Sequence, residues 1–288
     1  MKTAVVTGAT VGQGNLLVKR LAGAGWRVFA GVLPGAVSDL RNSANIVLIE
    51  QDVSKDDSVK RSAEQVAQAL GGAGLNLLMN VAGVADMANG VAECFSIDGA
   101  QRQFEINTWG QLRTVQAFLP MLRRAQPPAR IFNYGSGAIL VNPPFAGAYN
   151  MSKHAVHGLT LTLRQELAAF GIQVTTIMPG GVKTAMTANV HQRSKQSWAQ
   201  MPAEMRSVYG PSLEKSLTET LPDLLESRGS TAEAITDEVM KLLDRPVLKP
   251  FHLVGGDARP LGPLHALLPA LMFERLLRKT YKIGTAQR

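Results

Sequence analysis

The chain has 288 residues, 45% of them apolar, with a formal charge of +8 and one cysteine. That is enough apolar material for a large α/β domain with a substantial core. The lone Cys94 excludes an intrachain disulfide and every multi-cysteine zinc pattern, and it reads as a small apolar filler rather than a reactive thiol. The histidines show no His-x-x-x-His or His-Glu-x-x-His spacing, so no metal is expected. Lys and Arg are scattered, without a basic run or interleaved aromatics. This argues against nucleic acid and for a solvated surface that helps attract anionic ligands.

The N-terminus opens with Thr3-Ala4-Val5-Val6-Thr7, passes through Gly8-Ala9-Thr10-Val11-Gly12-Gln13-Gly14, and resumes at helical spacing with Asn15-Leu16-Leu17-Val18. Strand, glycine turn and helix follow in that order. Gly8 permits a tight turn, and Gly12 and Gly14 leave no Cβ between a pyrophosphate and the helix N-terminus. A purely structural βα turn is the competing reading. With no room before strand one for a leader, the expectation is a cytoplasmic protein.

Further strands are expected at Val28–Leu33, Ile46–Ile49, Leu75–Met79 and Arg130–Tyr134. Alternation of strand and helix to about residue 180 predicts a doubly wound parallel sheet with helices on both faces. Asp52 either contacts a ligand or caps the next helix. No internal repeat or low-complexity segment appears.

Tyr149 and Lys153 stand one helical turn apart on the same face. A free tyrosine ionises near pH ~10, and a neighbouring cation lowers that value. Ser136, thirteen residues upstream of Tyr149, adds a hydroxyl able to hold the oxygen whose proton moves. An exposed Tyr/Lys pair on a solvated helix has the same spacing, so the pair needs its context.

That context resembles the classical short-chain dehydrogenase/reductases. Residues 7–14 match Thr-Gly-x-x-x-Gly-x-Gly, with Gln13 where the family usually has an apolar residue. Asn80-Val81-Ala82-Gly83 resembles Asn-Asn-Ala-Gly, with Val81 departing. Gly135-Ser136 retains the matching serine, and Pro179-Gly180-Gly181-Val182-Lys183-Thr184 resembles the family's Pro-Gly motif. The resemblance covers residues 1–184 closely and the remainder loosely. It implies one domain over 1–288: a cofactor-binding and catalytic core (1–184), a substrate-covering segment (185–229), and a final helix, strand and C-terminal extension (230–288).

The resemblance also implies hydride transfer between a nicotinamide and a carbinol carbon. Tyr149 is then the general acid/base. Lys153 lowers its pKa and binds the nicotinamide ribose, and Ser136 orients the substrate oxygen. Asn107 perturbs its helix and supports a relay water. Cofactor contacts are implied for Thr7, Gly8, Gly12, Gln13, Gly14, Leu33, Asp52, Val53, Asn80, Ala82, Gly83, Tyr149, Lys153, Pro179, Gly180, Val182 and Thr184, with Asn80 also tying the central strands. The tip after Val28–Leu33 carries neither acid nor base. The likeness there to the branch with retinol, 17β-hydroxysteroid and 3-hydroxybutyrate dehydrogenases points to NAD, with NADP the alternative. The same branch implies a small lipophilic secondary alcohol or ketone as substrate. A homodimer or homotetramer, bundled through the helices near 101–124 and 150–170, is also implied.

Met186, Trp198, Met201, Met205, Tyr209 and Leu213 either line an apolar pocket or form plain core. Ser230-Thr231 before Glu233 reads as an N-cap of an amphipathic helix over Ala234–Leu243. Leu264–Leu277 is strongly apolar but too short, and too interrupted by Pro269, to span a bilayer. It is expected to pack on a neighbouring subunit or cover the substrate mouth, ahead of lying on a membrane surface. A non-catalytic NAD(P)-binding regulator and a sugar-nucleotide epimerase or dehydratase are the rival readings.

Overall fold

The apolar runs become the strands of one sheet. In the computed structural model, which describes residues 1–85, 90–126, 128–183 and 189–283, these are β1 (Thr3–Val6), β2 (Arg27–Val32), β3 (Ile46–Glu50), β4 (Leu77–Asn80), β5 (Arg130–Tyr134) and β6 (Gln173–Pro179). After a short ribbon of β7 (Val182–Lys183) and β8 (Ser230–Thr231) comes β9 (Phe251–Val254). The order is β3-β2-β1-β4-β5-β6-β9, seven strands, all parallel. The chain winds outward from β1 in one direction and from β4 in the other. Their carboxyl ends therefore flank the crevice where such sheets bind ligands.

Side chains alternate between the two faces. Ala4, Val6, Leu77, Met79 and Phe132 join one core with Leu17 and Leu21 of α1 (Gly12–Gly23). Val5, Leu78 and Ile131 join the other. That second core includes Val66 of α2 (Asp56–Leu70), Phe118 of α4 (Gly110–Leu122) and Leu163 of α6 (Gly147–Glu166). Between α2 and α4 lies α3 (Ile97–Phe104), and between β5 and α6 the short α5 (Ala138–Val141). The helical stretch expected near 101–124 is thus α3 and α4 joined by a π-helical turn, Glu105–Trp109.

Residues 190–228 form α7 (Val190–Gln200), α8 (Ala203–Lys215), a second π turn (Ser216–Thr220) and α9 (Leu221–Arg228). Next is α10 (Ala232–Lys241), whose N-cap Thr231 accepts from the Ala234 N–H at 3.2 Å. Pro269 divides the apolar C-terminal segment into α11 (Leu261–Leu267) and α12 (Ala270–Thr280).

A polar network sits inside the sheet. Asn80 Nδ2 donates to Asn133 Oδ1 (2.9 Å), and Asn133 Nδ2 donates to Thr160 Oγ1 (3.0 Å). Thr114 Oγ1 donates to Asn80 Oδ1 (2.6 Å). All four residues are fully buried. Asn80 is therefore a tie between strands and helices, its side-chain nitrogen and oxygen both engaged by protein. Replacing Asn133 strands buried polar groups on both sides. Asn133→Leu should lower stability by about 1–3 kcal/mol. Urea unfolding checks this; an unchanged midpoint would contradict it.

Candidate active site

The glycine loop is set by close approach. Thr7 Oγ1 accepts from the Val81 and Ala82 N–H groups, both at 3.0 Å, and so fastens the end of β1 to the end of β4. The buried Thr7 is thus occupied by protein rather than open to a cofactor. Gly8 has φ +64°, and a Cβ there would lie 2.6 Å from Ala82 Cα. A Cβ on Gly14 would lie 2.3 Å from Gly8 O. Gly14 therefore lets the loop close on α1, rather than clearing space for a ligand as the sequence reading supposed. At Gly12 the reason is φ +65°, since a Cβ there would meet nothing within 4 Å. The first turn of α1 has no side-chain cap and no acid. Its free N–H groups and the helix dipole suit a diphosphate, so the loop fits the dinucleotide implied by the fold.

On the adenosine side, the exposed Leu33 donates its N–H to Thr10 Oγ1 at 3.0 Å. Asp39 folds back onto α1, accepting from Asn15 Nδ2 (2.7 Å) and Lys19 Nζ (2.6 Å). Lys19 and Asn15 hold its carboxyl below the usual range. Asp52 Oδ1 accepts from the backbone N–H of Ser54 (2.9 Å) and its hydroxyl (2.7 Å). The N-cap of α2 is Lys55, so Asp52 shapes a turn and does not cap the helix. Val53 is buried against Gly110, where a Cβ would come within 2.8 Å of Val53 Cγ2.

The catalytic candidates converge where β5 ends. Ser136 Oγ accepts from the Ala138 N–H at 3.1 Å and lies near enough to the Tyr149 hydroxyl to favour its ionised form. Tyr149 is half-buried at the start of α6, with Lys153 Nζ 5.7 Å from its ring centroid. Lys153 is buried and donates to Tyr134 O at 2.9 Å. Asn107, in the π turn, is fully buried. Its Oδ1 accepts from the Val84 N–H (2.8 Å); its Nδ2 donates to Val84 O (2.9 Å) and to Ser152 Oγ (3.0 Å). Ser152 Oγ in turn donates to Tyr149 O at 2.8 Å. Both Nδ2 hydrogens of Asn107 are taken by protein, so the side chain can meet a relay water only as an acceptor. A Cβ on Gly83 would stand 3.1 Å from Asn107 Oδ1 and 3.5 Å from Lys153 Nζ, so Gly83 borders the same space.

The electrostatics correct the sequence expectation. Burial raises the Tyr149 pKa, with the Ser136 hydroxyl pulling the other way. Burial lowers the Lys153 ammonium to about 8. Without other charges present, desolvation outweighs the cation.

The covering helices share a core of Phe145, Trp198, Met201, Leu217, Leu221 and Tyr281, with Met205, Tyr209 and Leu213 packed against it. Five of the six residues named from sequence are thus mainly core; Met186, like Thr184, lies outside the described residues. Cys94 is half-buried beside this core. Phe145 reaches it at φ +65°, which ties the loop between Ser136 and Tyr149 to the cover. Tyr209 Oη donates to Glu93 Oε2 at 2.6 Å.

A cavity of about 440 Å³ lies between the C-terminal hairpin and the stretch following Ser136. Leu140, Val141, Pro144, Leu268, Phe273 and Leu277 are among its walls. Leu268, Phe273 and Leu277 lie in the apolar segment expected to pack on a neighbouring subunit or cover the substrate mouth, whereas sequence reading missed Leu140, Val141, Pro144 and Ser152. Asp257 was also missed. Its Oδ2 accepts from the Gly181 N–H at 2.7 Å, and its carboxylate fills the space a Gly180 Cβ would need. It thereby braces Pro179–Val182 at the end of β6.

Comparison with known proteins agrees with this fold. The model of the family described as short chain dehydrogenase matches residues 2–195. The chain belongs to the short-chain dehydrogenase family and is an NAD(P)-dependent oxidoreductase. It is 30% identical over 286 residues to 17-beta-hydroxysteroid dehydrogenase type 6 of Bos taurus, covering 97% of this chain and 89% of that one. It is 28% identical over 281 residues to retinol dehydrogenase 16 of Mus musculus, covering 96% and 87%. A solved short chain dehydrogenase from Burkholderia cenocepacia, in complex with NADP, superposes with a TM-score of 0.73 at 25% identity, covering 96% of this chain and 99% of that one.

The burial of Lys153 carries a pH signature. Below about pH 8 the ammonium is charged in both folded and unfolded chains, and its desolvation cost is fully present. Between about 8 and the unfolded value near ~10.4 the unfolded chain binds more protons, so the cost is relieved as pH rises. The stability of wild type relative to Lys153→Met should therefore improve by about 2 kcal/mol from pH 7 to 10. Urea titrations across that range measure it; a constant difference would contradict the burial argument.

Proposed function

We propose that the protein interconverts lipophilic secondary alcohols and their ketones, with Tyr149 as the general acid/base. One observation carries this reading: the Ser136 hydroxyl stands close enough to the Tyr149 phenol to pull its pKa down, beside a buried Lys153. When bound, the nicotinamide accepts a hydride from a carbinol carbon or returns one to a carbonyl carbon. Ser136, aimed by the Ala138 N–H, holds the substrate oxygen and stabilises charge developing on it. Tyr149 gives its phenolic proton to that oxygen in reduction and takes it back in oxidation. Lys153, largely protonated at neutral pH, favours the phenolate as the proton leaves. Residues suited to hold the cofactor are the α1 N-terminus with Gly12 and Gln13, the tip at Leu33, Ala82 and Gly83, Lys153, and Pro179 to Val182.

The cavity beside the stretch after Ser136 has apolar walls at Leu140, Val141, Pro144, Phe273 and Leu277, with Asn142, Glu274 and Arg278 among them, which suits a lipophilic molecule with a polar group. The names of the relatives, hydroxysteroid and retinol dehydrogenases, support the same class. NAD is the proposed cofactor. Asp39 is paired with Lys19 on α1, and the Arg41 guanidinium is occupied by the Ser38 and Leu40 carbonyls, so Arg41 is not free to pair with a 2′-phosphate. A regulator without chemistry would have no use for the Ser136–Tyr149–Lys153 arrangement.

Tyr149→Phe should bind cofactor as wild type does while losing turnover by about 10²–10⁴-fold, the range of lost acid/base catalysis. Nicotinamide absorbance with a hydroxysteroid or aryl carbinol reads it, and retained turnover would remove Tyr149 from the role.

Assembly belongs to the same proposal. Trp109, Met151, Leu161 and Phe170 are exposed on or next to α4 and α6, and Leu267, Leu271 and Met272 on the outer side of α11 and α12. Such apolar surface fits a homodimer or homotetramer, with the inner side of α12 closing the substrate mouth. Among the described residues no helix is long and apolar enough to cross a membrane. Light scattering at micromolar concentration should report a dimer or tetramer; monomer alone would contradict this.

A further inference from the structure

The turn after β6 is held from behind by the segment after β9. Gly180 donates its N–H to Val254 O at 3.0 Å, and Gly181 donates to Asp257 Oδ2 at 2.7 Å. The Asp257 carboxylate stands in the space that a Cβ on Gly180 would need. Its other oxygen, Oδ1, is buried and has no hydrogen-bond partner. No cation pairs with Asp257 among the described residues. The nearest one along the chain, Arg259, is engaged by Glu238 at 2.9 Å. Glu238 Oε2 also accepts from the Gly255 N–H (3.1 Å), and Ser230 Oγ from the Gly256 N–H (3.2 Å), so the segment carrying Asp257 is itself fixed. Bracing Gly181 needs one acceptor, which an uncharged side chain would supply. It gives no account of a charge whose second oxygen is shut away from water and unmet, which is costly. The missing partner is a positive charge.

We propose that Asp257 is an electrostatic positioning residue that favours the oxidised nicotinamide cofactor over the reduced one. The assignment rests on the NAD(P) reading given above, and on the place beside the nicotinamide that it implies for Pro179–Val182. The oxidised ring is a cation and the reduced ring is neutral. A carboxylate fixed behind Gly180 and partly shielded from solvent attracts the first and not the second. It acts across the Gly180 backbone rather than by contact. In ketone reduction the hydride carries its electron pair to the carbonyl carbon, and Tyr149 gives the oxygen its proton. The positive charge left behind is the one that Asp257 stabilises.

Asp257→Asn and Asp257→Ser test this, since both keep an acceptor for the Gly181 N–H and remove the charge. Calorimetry on wild type and both variants gives dissociation constants for three ligands. These are ADP-ribose and the oxidised and reduced forms of the dinucleotide that wild type prefers. The variants should bind the oxidised form about tenfold more weakly, the order expected for one charge pair at intermediate dielectric. Binding of the reduced form and of ADP-ribose should change by less than about twofold. Equal weakening of both redox forms would make Asp257 a brace alone and overturn the proposal, as would three unchanged constants. Loss of ADP-ribose binding or of a cooperative melt in both variants would make it a residue of the fold, and would also overturn the proposal. If wild type binds none of the three ligands, the NAD(P) reading itself fails. Normal wild-type binding with an unshifted ratio of oxidised to reduced affinity in the variants defeats the Asp257 proposal alone.

Discussion

The amide of Asn107 is the joint on which the site depends. Its oxygen and nitrogen close a two-way link with the backbone of Val84, just past the end of β4, and its second N–H reaches Ser152 on α6. Three separate pieces of chain are thereby fixed to one side chain: the loop after β4, the π turn, and the helix bearing Tyr149 and Lys153. The π turn departs from the regular helical ladder of α3 and α4, and such bulges recur at functional sites. Ser152 passes the constraint on by donating to Tyr149 O. An apolar residue at 107 would leave the Val84 backbone groups unmet in a buried place, and the geometry around Tyr149 would lose its reference.

Burial then sets the proton chemistry. The same packing that immobilises Tyr149 and Lys153 withdraws water from both. The phenol is pushed up and the ammonium down to about 8, each toward its neutral form. At neutral pH the ammonium keeps most of its charge, and the phenol keeps its proton. The free protein is thus poised to donate a proton, the state ketone reduction requires. Taking a proton asks for more positive charge near the phenol than Lys153 alone supplies. The Ser136 hydroxyl provides part of that stabilisation, and Lys153 remains within Coulombic reach through the ring.

Much of this was legible in the chain. The glycine loop, the parallel strands and the Tyr149–Lys153 spacing all follow from local pattern, and each lies where that pattern places it. Less legible was why individual residues are needed. Gly14 faces Gly8 rather than a ligand, and Thr7 binds the protein to itself, whereas the strand tie through Asn80 had been expected. Such roles come from contacts between strands distant in sequence, which periodicity does not report. The Asp52 cap failed because a closer acceptor geometry, the turn with Ser54, competed for the carboxylate. The pKa of Tyr149 was misjudged because spacing shows the cation but not the loss of water. The apolar tail was readable as a stretch interrupted at Pro269, but not as two helices. Its role as a cavity wall depended on where α5 ends up.

The central claim is that these residues support direct hydride exchange with a secondary carbinol. The measurement closest to it uses a hydroxysteroid or aryl carbinol deuterated at the carbinol carbon, incubated with the purified protein and NAD. The account predicts deuterium on the nicotinamide ring of the reduced cofactor, ketone in equal amount, and loss of both in Tyr149→Phe. Ketone formation without label on the nicotinamide, or label transfer undiminished in that variant, would contradict it.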